Sequence, residues 1–93
     1  MSISKKEVCA INSAAEMLLA ATEGHEDLFE GVIVYPKNGR ACICLWSSKA
    51  IKEIADCFGR KVEKTVFSNG KWYREVVEIG GLEFTHTGAV EEA

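Results

Sequence analysis

Asn69-Gly70 stands between two apolar, β-prone runs in the stretch VFSNGKWYRE, Val66 to Glu75. Both central residues of a type I′ turn need positive φ, which Asn and Gly adopt at little cost, so this pair predicts a two-residue β-hairpin. A turn of that length sets the register of both strands beside it. Phe67 then faces Trp72, Val66 faces Tyr73, Thr65 faces Arg74, Lys64 faces Glu75, Glu63 faces Val76 and Val62 faces Val77. Gly80-Gly81 repeats the device. It sets Ile79 against Leu82, Glu78 against Glu83, Val77 against Phe84, Val76 against Thr85 and Glu75 against His86.

Side chains alternate between the two faces of a sheet, so this register sorts them. Val62, Val66, Tyr73, Val77, Ile79, Leu82 and Phe84 gather on one side; Glu63, Thr65, Phe67, Trp72, Arg74, Val76, Glu78, Glu83 and Thr85 gather on the other. Glu78 and Glu83, directly opposed, cannot be buried together without a large desolvation and repulsion cost. The second side therefore faces water. Val66 and Tyr73 are expected to point inward, and Phe67 and Trp72 outward as a cross-strand aromatic pair beside Lys71, Arg74 and Val76. Those five residues, Phe67, Lys71, Trp72, Arg74 and Val76, form the candidate binding surface, because Trp, Tyr and Arg supply a disproportionate share of interface hot spots. A one-residue slip would reverse the assignment.

The rest of the chain supplies helices and a second hairpin. Ser4-Lys5-Lys6-Glu7 fits a capping box, Val8, Ile11, Ala15 and Leu18 recur at three and four, and Gly24 suits a left-handed stop, which predicts a helix over 5–23. GVIVY and ACICLW flank the turn sequence Pro36-Lys37-Asn38-Gly39. They do not alternate, so both faces of that pair are expected to be covered, as in interior strands. Ser47 or Ser48 caps a second helix with Ile51, Ile54, Ala55 and Phe58 on one face, ended by Gly59. The order is αββαβββ. It predicts an α+β fold: an antiparallel sheet of about five strands with two helices packed on it, the first crossing the sheet. Residues 1–93 read as one compact domain, 88–93 as a frayed tail, and the strand order between the hairpins is open.

Composition narrows the function classes. Lys5, Lys6 and Glu7 near the start are unlike a signal peptide, and no apolar run approaches a membrane span, so a cytoplasmic location is expected. Thiols stay reduced there, and none of Cys9, Cys42, Cys44 and Cys57 belongs to a C-x-x-C knuckle. They read as small hydrophobes, with no metal and no cofactor expected. Gly80-Gly81 leads into a strand and not a helix, which excludes a phosphate loop.

Charge is segregated along the chain. Residues 1–31 hold two cations and six acids, 32–74 nine cations and three acids, and 75–93 five acids and no cation. Segments of opposite sign that interleave in space would neutralise one another. In size and acidity, though in no motif, the chain resembles small inhibitors encoded by phages and mobile elements, such as anti-CRISPR proteins. The expectation is a non-catalytic protein-binding module, an inhibitor or adaptor, using the hairpin face for a protein partner or for self-association. Two alternatives stand beside it. A nucleic acid could stack on Phe67 and Trp72 with the central cations on its phosphates, although the flanking carboxylates oppose this. Enzymatic chemistry would need the polar row Lys64, Glu75 and His86, which is expected to lie at the open end of the sheet with its ions paired in water, or a cysteine.

Overall fold

The computed structural model of the chain describes residues 2–90. Helix α1 (Lys5–Thr22) comes first. The Glu7 amide donates to the Ser4 hydroxyl and the Ser4 amide to the Glu7 carboxylate, each at 3.1 Å, completing the capping box. Gly24 takes φ +84, the left-handed conformation expected just past the helix. The position of α1 differs from expectation: none of its residues is buried, so it does not pack across the sheet.

Strands β1 (Phe29–Tyr35) and β2 (Arg40–Leu45) form an antiparallel hairpin closed by a short 3₁₀ turn at Pro36–Asn38. Helix α2 (Ser48–Cys57) follows, its start fixed by the Ser47 hydroxyl, which accepts the Ala50 amide at 3.1 Å. Strands β3 (Glu63–Phe67), β4 (Trp72–Ile79) and β5 (Leu82–Ala89) complete a small α+β domain in the order αββαβββ.

The five strands lie in the order β1-β2-β5-β4-β3. The sheet is mixed, and not purely antiparallel as expected, because β2 and β5 run parallel. The cause lies in the β2–α2–β3 segment. A helix that carries the chain back along a sheet delivers the next strand parallel to the last, and β5 shares its direction with β3 because both are antiparallel to β4.

The hairpin register is as the turns predict. Phe67 to Glu63 pair with Trp72 to Val76, and Ile79 to Glu75 with Leu82 to His86. Ser68, Asn69 and Gly70 take φ of +55, +58 and +82, and the Lys71 amide donates to the Ser68 carbonyl at 3.2 Å, so the left-handed bend expected at Asn69-Gly70 begins one residue earlier. The β4–β5 ladder runs on to Tyr73–Gly88 and Trp72–Ala89. Gly88 and Ala89 are thus strand residues, not a frayed tail; 91–93 lie outside the described residues.

The core sits between α2 and one face of the sheet. Leu45 and Ile51 are sealed within it, joined by Ile43, Ala50, Ala55 and Val77, with Val62, Ile79, Leu82 and Phe84 around them. Phe58, expected on the buried face, is instead 60% exposed, because α2 ends at Cys57 and Phe58 is the cap residue, off the helical repeat. β1 also departs from expectation. It is an edge strand with Val32, Ile33, Val34 and Tyr35 exposed, because α2 covers only the middle strands and α1 covers none.

Candidate functional site

The face of the sheet opposite α2 carries no helix. Trp72 pairs with Phe67 on one side and with Ala89 on the other, and Arg74 and Val76 follow at intervals of two, so alternation places all five residues on this open face. Phe67 is 41% and Trp72 45% exposed, while Arg74 and Val76 are half-buried. Lys71 is exposed in the turn that closes the hairpin, its carbonyl accepting the Val90 amide at 2.9 Å.

Several residues of this face escaped the sequence reading. β5 inserts between β2 and β4, which brings Arg40, Cys42 and Cys44 alongside Glu83 and Thr85. The Arg40 guanidinium pairs with the Glu83 carboxylate, to which the Cys42 thiol also donates at 3.3 Å. Arg40 and then Cys42 hold the Glu83 carboxyl below the usual carboxylate range. Burial, followed by the bond to that carboxylate, pushes the Cys42 thiol up, away from reactive thiolate. Nothing in the local sequence joins Arg40 to Glu83. Only the strand order does, and with it the basic centre and acidic end of the chain interleave.

The polar row lies on the α2 side of the sheet. Lys64, Glu75 and His86 align across β3, β4 and β5 as expected, but their partners differ from a set of ions paired in water. Ser48, in the first turn of α2, donates to Glu75 at 2.5 Å and lies 3.1 Å from the Tyr73 hydroxyl. Tyr73 in turn is 3.3 Å from His86 Nε2. His86 Nδ1 is 3.1 Å from the Leu45 carbonyl, which can only accept, so Nδ1 carries a hydrogen. Lys64 leaves Glu75 and places its ammonium 4.5 Å from the centre of the Tyr73 ring, within cation–π range.

Glu75 and His86 are half-buried because the start of α2 closes over them. Ser48 and Tyr73 were missed as members, since a contact between a helix cap and a distant strand leaves no spacing signal. Val66, expected inward with Tyr73, is 53% exposed, because β3 is an edge strand beyond the reach of α2.

Among the described residues no group of three His, Cys, Asp or Glu side chains could hold a metal ion, and no helix is long and apolar enough to cross a membrane. Comparison with protein-family models, with curated proteins and with solved structures finds no match to this chain.

Proposed function

We propose that this chain is a non-catalytic protein-binding module, an inhibitor or adaptor, that docks a protein partner on its open sheet face around Phe67, Trp72, Arg74 and Val76. The observation that carries the reading is the Phe67–Trp72 pair, directly opposed and exposed on a face that no helix covers. A rigid sheet presents such aromatics at low entropic cost, and aromatic and Arg anchors dominate interface energetics. A protein surface suits this face better than a phosphate backbone. Arg40 is already neutralised by Glu83, and alternation sets Glu63 and Glu78 on the same side.

The polar row supports a structural role over a catalytic one. Its hydrogen bonds run among Ser48, Glu75, Tyr73, His86 and the Leu45 carbonyl and so tie the start of α2 and the end of β2 to β4 and β5. In this reading the protein works in the reducing cytoplasm, where the exposed Cys9 and Cys57 persist as thiols.

The test is Trp72→Ala. The side chain is 45% exposed and lies on the face away from the core, so circular dichroism is expected to be unchanged while affinity for a co-purifying partner falls by about thirtyfold or more, as for an interface hot spot. Retention of the partner by Trp72→Ala and by Phe67→Ala would remove the reading. Salt-sensitive binding of single-stranded or duplex DNA by the wild type, lost in Trp72→Ala, would replace it with the nucleic-acid alternative.

A further inference from the structure

Helix α1 exposes its whole length, yet its sequence is built for burial. Val8, Ile11, Ala15, Leu18 and Thr22 recur at three, four, three and four, the seam spacing of a two-stranded coiled coil. Thr22 donates its hydroxyl to the Leu18 carbonyl at 2.8 Å and so brings no unsatisfied donor to that seam. At 18 residues α1 is only slightly longer than the roughly 12–15 below which an isolated helix is marginal in water, and most helical stability in proteins comes from packing of an apolar face, which α1 lacks here.

A groove of about 650 Å³ opens where the last turns of α1 approach the uncovered half of the core-side sheet face, floored by Phe29, Val32, Ile43, Leu82 and Phe84. Its walls are almost wholly apolar, which offers a small polar ligand few anchors. α2 occupies the other half of that face. The chain's own α1 lines one wall of this groove with its last turns but buries no residue in it.

The missing area has the size of a dimer contact. The chain exposes 7438 Å², whereas a compact monomer of 10.2 kDa exposes about 5,300 Å², an excess of roughly 2,100 Å² per copy. Stable dimers bury about 1,200–5,000 Å² in total. The radius of gyration, 15.4 Å, likewise exceeds the roughly 12 Å of a compact chain of this length.

Charge selects the occupant. Lys5 flanks the seam at the positive end of the α1 dipole, with the cap acid Glu7 on the other flank and Lys6 pointing away, and Glu23 stands at the negative end, so Lys5 and Glu23 are the reverse of what a lone helix favours. The one ion pair among the described residues is Arg40–Glu83, so these charges do not offset one another within the chain. Two copies of α1 laid antiparallel along that seam bring Lys5 of each toward Glu23 of the other, twice.

We propose that the protein forms a two-fold symmetric dimer in which the α1 helices pair antiparallel along the Val8–Leu18 seam. The first half of each α1 enters the partner's groove, so that Val8 and Ile11 meet the α1 end and the sheet floor of the other copy. The contact is isologous and closes on itself. It lies apart from the open sheet face and does not depend on the reading of that face.

Sedimentation of the full chain across a dilution series tests this. Wild type is expected at twice 10.2 kDa, dissociating to the single-chain mass on dilution. Ile11→Glu changes a side chain that is 62% exposed in one copy and is expected to sediment as a monomer with its sheet intact. Lys5→Glu in one chain, and Glu23→Lys in another, should each weaken self-association by about threefold or more, and mixing the two should restore a dimer. Monomeric wild type at every concentration overturns the proposal. So does an Ile11→Glu protein that stays dimeric, or mixed charge variants that fail to associate. Trp72→Ala is expected to leave the dimer intact, which separates this contact from the partner site.

Discussion

Gly88 shows how one residue can hold the polar row in place. It lies directly opposite Tyr73, and a methyl group at its Cα would come within 2.6 Å of the tyrosine oxygen and 2.7 Å of the ring. The backbone could accept alanine there, but the ring could not stay. Gly88→Ala is therefore expected to push Tyr73 away from His86 and Ser48 and to destabilise the fold by about 1–3 kcal/mol, read as a lower urea midpoint. Glu83 gives a second residue-scale outcome. Its folded pKa lies below the unfolded value because Arg40, then Cys42, favour the carboxylate. A depressed acid contributes stability that is present above its unfolded pKa, about 4.3, and lost as pH falls through the folded pKa. Wild type should thus melt higher than Glu83→Gln at neutral pH, with the gap closing below about pH 4. A gap independent of pH would show that the pair contributes nothing through charge.

Elements were legible in the sequence wherever the signal was local. Ser4 and Glu7 read as a capping box because both partners lie within one turn, and Asn69-Gly70 set five strand pairs because a tight turn leaves a single register. Signals failed where the deciding contact was remote. The apolar run of β1 was a sound indication that those side chains need cover, but it could not say that the cover is missing within one chain. The periodicity of α1 likewise identified an apolar stripe without identifying the surface that receives it. The mixed sheet was within reach: a strand, a helix and a strand in succession imply a parallel crossover, which makes β3, and through the meander β5, parallel to β2, though it does not say which of them lies beside it. At the candidate site, Phe67, Trp72, Arg74 and Val76 followed from one turn, whereas Arg40 and Cys42 reach that face only through the strand order.

At the scale of the whole molecule, stability and association should be the same question. One helix and the core-side face of the sheet make a small core, with Leu45 and Ile51 its largest sealed side chains. A domain of this size buries only roughly 60–65% of the surface its unfolded chain exposes, so an unpacked 18-residue helix is a large fraction of the chain to leave without support. If the two α1 helices supply each other's cover, unfolding releases two chains from one particle, and mass action makes the melting temperature rise with protein concentration. Calorimetry at increasing concentration should show that rise in wild type and none in Ile11→Glu, and dilution should lower helical ellipticity in wild type as unpaired α1 frays while the sheet signal stays. A melting temperature independent of concentration, with full helicity at the lowest concentration measured, would mean that α1 stands alone by its own propensity and that its seam has no copy of itself to meet.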